Sequence, residues 1–231
     1  MKNLWKDWTI FEKVWLAVFT MVNVYLFFAW EDSVLGLVTS LSGMLCVVLV
    51  AKGKIANYYF GIVQTGLYAY LSYGYGLYGE TMLNALFYFP AQFVGLYLWN
   101  KNKIAQTVKG EDIPVKKLTR KGWMMAGVVS LGMIIIYGFV LQIIGGKVVW
   151  VDSATTVLSV LAQILMIKRY AEQWLFWIVV NILSIILWAQ ALWTQGGNDM
   201  SMLVMWMAFL INSIYGYYNW NKVYQKQEGA E

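Results

Sequence analysis

Histidine is absent from the 231-residue chain, cysteine occurs once and proline twice. Without histidine the chain cannot build a histidine-ligated zinc site or use histidine as a general base, and a single cysteine, Cys46, cannot form a disulfide within the chain. Charged residues make up only 13% of the sequence, whereas hydrophobic residues make up 60%. This composition excludes a typical soluble domain and predicts a polytopic membrane protein. No metal site and no cofactor are predicted.

Eight apolar runs predict an all-α fold with eight transmembrane helices. The clearest run, residues 174–193, has no charge, proline or glycine. As a helix it spans roughly 30 Å, the thickness of the hydrocarbon core of a bilayer. The first run is retained as a helix, because the residues after it lack the small-residue pattern of a signal-peptide cleavage site. The other runs cover residues 14–30, 34–51, 55–73, 81–99, 123–144, 151–167 and 200–220.

Basic residues alternate between the two sides of the predicted membrane. All of the 17 except Lys147 fall in the amino-terminal segment, the carboxyl-terminal tail or every second loop. The positive-inside rule therefore predicts that both termini are cytoplasmic. Because orientation explains the net charge of +5, no nucleic-acid binding is predicted.

A three-helix repeat organises the chain. Residues 95–101 (GLYLWNK) return as residues 216–222 (GYYNWNK), and the alignment also matches Lys52 with Lys168 and Gln64 with Asn181. One helix stands between the copies, so both copies enter the membrane in the same direction, and two parallel three-helix bundles joined by a linker helix are predicted. The predicted segments are an amino-terminal segment with an extra helix (1–33), the first bundle (34–102), a loop and linker helix (103–147), the second bundle (148–222) and a tail (223–231).

Neutral polar and aromatic residues near mid-depth are the candidate substrate-binding residues. Trp177, Asn181 and Trp188 share one helical face by their spacing. Indole and phenol rings stack on planar or cationic rings, and carboxamides bond hydroxyls and amides, so a small aromatic or sugar-like solute is predicted. Packing between helices is the alternative role for each residue. The full set is Gln64, Tyr88, Gln92, Trp177, Asn181, Trp188 and Asn212.

Two further features are interpreted structurally. Pro90 has no N–H to bond the Leu86 carbonyl, so it is predicted to act as a hinge in the fourth span. Tryptophans at the ends of spans are interpreted as belts at the membrane interface, without a binding role. These are Trp5, Trp8, Trp15, Trp99, Trp123, Trp150, Trp174, Trp193 and Trp220.

The predicted spans lack charged groups at mid-depth. A phosphate would find no compensating lysine or arginine there, so nucleosides are predicted to be preferred over nucleotides. The lack of buried carboxylates argues against obligatory proton coupling, although sodium coupling through carbonyls stays open. The lack of a nucleophile–base pair argues against an enzyme.

Several motifs resemble the PnuC-type nicotinamide riboside transporters. They are the sequence QWLFW at residues 173–177 followed by Asn181, the Trp-Asn-Lys endings at Trp99 and Trp220, and Pro90-Ala91-Gln92. The resemblance covers roughly residues 35–222. It implies a SWEET-like 3+1+3 fold and facilitated diffusion of nicotinamide riboside, a precursor of NAD, across the bacterial inner membrane.

Other readings stay open at this point. The second copy has Ile211-Asn212 where the first has Pro90-Ala91, so equal behaviour of the two halves is not implied. Thiamine or another aromatic vitamin is an alternative substrate, and a non-transporting membrane scaffold or receptor is an alternative class. A homo-oligomer is compatible with every one of these readings.

Overall fold

The computed structural model describes residues 8–29, 33–74, 81–103, 113–143, 149–195 and 200–228, and these form eight helices. The predicted all-α fold is confirmed. Helix α4 joins a π-helical stretch, Leu83–Tyr88, to an α-helix, Phe89–Lys101. The other helices are α1 (Ile10–Ala29), α2 (Val34–Ala51), α3 (Asn57–Gly74), α5 (Arg120–Ile143), α6 (Val149–Ile167), α7 (Gln173–Gln195) and α8 (Met200–Glu228).

Four of the helices in the described part of the chain have the length and composition of membrane spans. Within the described residues, α1, α2, α5 and α6 are long and apolar enough to cross a bilayer, and α7 contains a shorter apolar segment. In α5 the buried residues are small (Ala126, Ser130 and Gly138), while large apolar side chains such as Val128 and Ile136 are exposed. Small residues inside and large apolar residues outside are typical of a helix packed in lipid.

The chain separates into two compact units. The first contains residues 1–114 and 225–231, and the second contains residues 115–224. Helices α1 to α4 form the first unit, so the extra helix belongs with the first bundle. The linker helix α5 belongs to the second unit, together with α6, α7 and most of α8.

The turn between the first two helices has the same backbone hydrogen bonds in both bundles. Gly53 and Arg169 both adopt the left-handed backbone conformation, with φ of 63° and 68°. At each of these residues the same two backbone hydrogen bonds end the helix. Each donor and acceptor in the second bundle has a residue number 116 higher than its counterpart in the first. The bonds are Gly53 N to Val50 O and Lys54 N to Leu49 O in the first bundle, and Arg169 N to Met166 O and Tyr170 N to Leu165 O in the second, all 2.9 Å long.

This register confirms the predicted match of Lys52 with Lys168 and corrects the predicted match of Asn181. It places Asn181 at the position of Thr65, so the predicted match of Asn181 with Gln64 was wrong by one residue. The backbone turn sets the register, whereas the sequence alignment had paired residues by their amide side chains. One residue is about 100° of rotation on a helix. Accordingly Thr65 and Asn181 are both buried, while Gln64 is only half-buried.

An aromatic ring packs against a glycine at the same place in each bundle. Tyr58 meets Trp99 edge to face with ring centroids 5.0 Å apart, and Trp174 meets Trp220 at 6.0 Å. A Cβ at Gly95 would overlap the Tyr58 ring. In the second bundle the rings of Trp174 and Trp220 pack beside Gly216, where a Cβ would lie 2.6 Å from Trp174.

The interface role predicted for three tryptophans was therefore wrong. Trp99, Trp174 and Trp220 are buried in the bundles, and none of them is more than 2% exposed. Sequence position gives the depth of such a residue but not the side of the helix on which it lies. Trp123 and Trp150, by contrast, are 41% and 51% exposed, as expected for interfacial residues. Trp5 and the side chain of Trp193 lie outside the described residues.

A buried ion pair anchors α1 to the first bundle. Glu12 Oε2 lies 2.6 Å from Lys52 Nζ, and both side chains are less than 10% exposed. The same oxygen accepts a bond from Thr9 N, and Glu12 N donates to Thr9 Oγ1, which forms a capping box at the start of α1. The Trp8 ring covers the ammonium group at 5.1 Å. Sequence analysis had assigned Lys52 only to a cytoplasmic loop.

Candidate functional site

A π-helical stretch precedes the predicted hinge on α4. Leu83–Tyr88 is π-helical, and Phe89 N donates to Asn84 O, a step of five residues. Two residues after this stretch, Pro90 cannot donate a backbone hydrogen bond to Leu86. Short π-helical segments inside α-helices often occur at functional sites. The loosening of this span at Pro90 and its hinge motion both stay predictions.

The first unit carries three of the candidate binding residues on neighbouring helices. Gln64 lies on α3 and is half-buried, and Tyr88 is half-buried at the end of the π-helical stretch. Gln92 lies one turn further along α4 and is only 4% exposed. Its Oε1 has no hydrogen-bond partner among the described residues. A buried amide oxygen without a partner raises the free energy of the folded protein unless a ligand or water supplies a donor.

The second unit carries the other candidates. Asn181 on α7 is buried, and its Nδ2 donates to Ser213 Oγ on α8 at 2.9 Å. Asn212 on α8 is buried and Trp177 on α7 is half-buried. The side chain of Trp188 lies outside the described residues. The structure thus brings α7 and α8 together through a polar contact.

Ser213 was not predicted as part of this polar cluster. The residue offset of the Trp-Asn-Lys endings, 121, places Ser213 at the position of Gln92. The repeat therefore contained the signal, but a serine in a transmembrane helix is a weaker indicator than an amide. Serine can satisfy its hydroxyl with the backbone of its own helix.

Among the helices that carry these residues, charged residues occur only toward the carboxyl-terminal ends of α4 and α8. Helices α2, α3 and α7 contain no charged residue, and the one charged residue of the α4 segment Phe89–Lys101 is its last, Lys101. Among the described residues there is no group of three or more cysteine and carboxylate side chains that could hold a metal ion. The available chemistry is therefore hydrogen bonding by amides and hydroxyls and stacking by aromatic rings.

Comparison with known proteins identifies the family. The nicotinamide riboside transporter PnuC of Neisseria mucosa is 43% identical over 229 residues, which cover 99% of this chain and 87% of the relative. The transporter of the same name from Haemophilus influenzae is 42% identical over 219 residues, which cover 95% and 93%. A family model described as nicotinamide mononucleotide transporter matches residues 33–222. The chain belongs to the PnuC family.

A solved member of the PnuC family has the same fold. The crystal structure of the vitamin B3 transporter PnuC matches with a TM-score of 0.85 at 43% identity, covering 97% of this chain and 99% of that one. The predicted resemblance and the 3+1+3 membrane fold are confirmed, and the chain is a multi-pass bacterial membrane protein of a transporter family rather than an enzyme. The family model begins after α1, in agreement with an extra helix outside the repeated core.

Proposed function

We propose that the protein carries nicotinamide riboside across the bacterial inner membrane by facilitated diffusion. Relatives of 42% and 43% identity are named as transporters of this nucleoside. The observation that carries the proposal is the buried Gln92 amide, whose Oε1 has no partner among the described residues, in a helix bundle without charges at mid-depth. Nicotinamide riboside offers hydroxyl and amide donors and carries no phosphate, so it matches such a lining.

Each candidate residue has a role that its chemistry allows. We assign the ribose hydroxyls and the carboxamide of the substrate to the amides of Gln64, Gln92, Asn181 and Asn212. Asn181 gives one N–H to Ser213, but its carboxamide has a second N–H and a carbonyl oxygen for a ligand. Indole and phenol rings attract flat cations, so Trp177, Trp188 and Tyr88 are assigned to the cationic pyridinium ring.

The distribution of charges supports transport without proton coupling and the predicted orientation of the chain. Helices α2, α3 and α7 carry no carboxylate that could relay a proton. Exposed basic residues cluster around the start of α5, at Lys116, Lys117, Arg120 and Lys121, which supports a cytoplasmic position for this end of the helix and for both termini. Nothing in this transport scheme requires a second copy, and a homo-oligomer is compatible with it.

Uptake into proteoliposomes tests the proposal. We expect saturable uptake of labelled nicotinamide riboside without any ion gradient, and faster exchange when unlabelled substrate is loaded inside. Uptake that requires a sodium or proton gradient would contradict facilitated diffusion. Absence of uptake by a folded protein that binds the nucleoside would favour a receptor, and stronger competition by thiamine than by nicotinamide riboside would make thiamine the substrate.

A further inference from the structure

Gly61 on α3 lies against the carboxamide of Gln92 on α4. A Cβ at Gly61 would overlap Gln92 Oε1 and lie 2.8 Å from Gln92 Cδ and 3.3 Å from Cys46 Sγ. The amide therefore occupies the space that any other residue at position 61 would need. Gly66, one and a half turns along the same helix, differs in this respect, because its nearest neighbour is the Phe89 ring at 3.4 Å, an ordinary contact.

The second bundle has different residues at the corresponding positions. The register of the repeat puts Trp177 at the position of Gly61 and Ser213 at that of Gln92. Ser213 Oγ accepts a hydrogen bond from Asn181, so its polar atom is used within the bundle. In the first bundle Gln92 Oε1 is buried, and no donor among the described residues bonds it. The two bundles thus share the backbone turn at Gly53 and Arg169 but not the use of this polar position.

We propose that Gly61 is a positioning residue for substrate binding. Its missing side chain lets the Gln92 carboxamide lie against α3 with its Oε1 uncommitted, so that Oε1 accepts a hydrogen bond from a hydroxyl or amide N–H of the bound nucleoside. This inference rests on the proposed function and extends it to a residue that has no side chain to contact the substrate. It also explains why position 61 cannot follow the second repeat, where a tryptophan stands.

The substitution Gly61→Ala separates positioning from folding. The atoms that a new Cβ would meet first belong to the far end of a flexible side chain, so the amide can swing away while the helices stay in place. A rigid neighbour, by contrast, would force the helices apart. Both Gly61→Ala and the control Gly66→Ala raise the helix propensity of α3 equally, so any difference between them reports the displaced amide.

Calorimetric titration of the purified protein with nicotinamide riboside, in a double-mutant cycle with Gln92→Ala, tests the inference. We expect Gly61→Ala to weaken binding about ten-fold, Gly66→Ala to leave it within about two-fold, and Gly61→Ala to add nothing in the Gln92→Ala background. Equal affinities of Gly61→Ala and the unmodified protein, or additive losses in the double variant, would overturn the positioning role.

Three further outcomes are separable. If Gln92→Ala binds normally, the role of Gln92 and the positioning role both fail while transport stands. If the unmodified protein does not bind nicotinamide riboside, the proposed function itself fails, and the inference with it. If Gly61→Ala does not fold, the double variant decides, since removal of the obstructing amide should restore folding, and an unfolded double variant would overturn the geometry.

Discussion

Trp174 packs edge to face on Trp220, with ring centroids 6.0 Å apart and ring planes at 79°, and Tyr58 packs on Trp99 in the same way in the first bundle. Each pair lies beside a glycine of α8 or α4. The repeated Gly-x-x-x-Trp-Asn-Lys sequence is therefore a packing motif, in which the glycine makes room for a ring of the preceding helix.

This motif predicts that Gly216→Ala lowers stability. The new Cβ would lie 2.6 Å from atoms of the buried Trp174 ring, and such overpacking costs about 1–3 kcal/mol. Gly127→Ala on α5 is the matched control, because nothing lies within 4 Å of that position. Thermal unfolding in detergent should give a lower Tm for Gly216→Ala than for Gly127→Ala. Equal Tm values would show that the Trp174 ring can shift without lowering the stability of the protein.

The ion pair between Glu12 and Lys52 gives a second prediction. Removing one partner of a buried pair costs about 3–5 kcal/mol, because the other charge stays buried. Glu12→Gln should therefore lower Tm strongly, and Glu12→Gln/Lys52→Met should recover part of the loss. Lys13→Met, at an exposed neighbouring position, is the control and should change Tm little. A single variant no less stable than the double variant would refute the anchoring role of the pair.

The number of helices and the repeat could be predicted from the sequence, because apolar length and recurring motifs encode them directly. Contacts between residues distant in sequence could not be predicted. The pairing of Glu12 with Lys52 and the bond from Asn181 to Ser213 join different helices, and no spacing rule relates their positions. The prediction that Trp99 and Trp220 lie at the membrane interface was wrong for the same reason. Buried and interfacial residues both occur at the ends of spans, so position along the span does not distinguish them.

The π-helical stretch before Pro90 was also beyond sequence analysis. A helical pattern of 3.6 residues per turn is the default expectation, and an added backbone step changes which residues share a face. The one-residue error in matching Asn181 had a related cause, since the register depends on the backbone turn at Gly53 and Arg169 rather than on side-chain type.

Asn181 and Ser213 allow ligand binding to be separated from helix packing. Ser213→Ala leaves Asn181 Nδ2 without that acceptor and should cost about 1–3 kcal/mol in stability. Asn181→Leu should lower Tm as well, but it should also weaken nicotinamide riboside about ten-fold more than Ser213→Ala does. Titration and thermal unfolding of both variants check this. If the two variants bind alike and only melt earlier, Asn181 serves packing alone.

Pro90 gives a kinetic prediction. Pro90→Ala supplies the missing N–H, so the bond to the Leu86 carbonyl can form and α4 should stiffen beside its π-helical stretch. We expect slower uptake of nicotinamide riboside into proteoliposomes with less change in its Kd. Uptake at the normal rate by the folded variant would remove the hinge role of Pro90.

The central claim is that the protein prefers an unphosphorylated nucleoside. The names of the family model and of the relatives differ on this point. The family model names the mononucleotide, whereas the relatives are named for the riboside. Helices α2, α3 and α7 carry no cation that could neutralise a phosphate, and an unpaired buried charge is costly. Titration of the purified protein with nicotinamide riboside and with its 5′-phosphate tests the claim most directly. The riboside should bind at least about a hundred-fold more tightly, and equal affinity for the two would contradict the account.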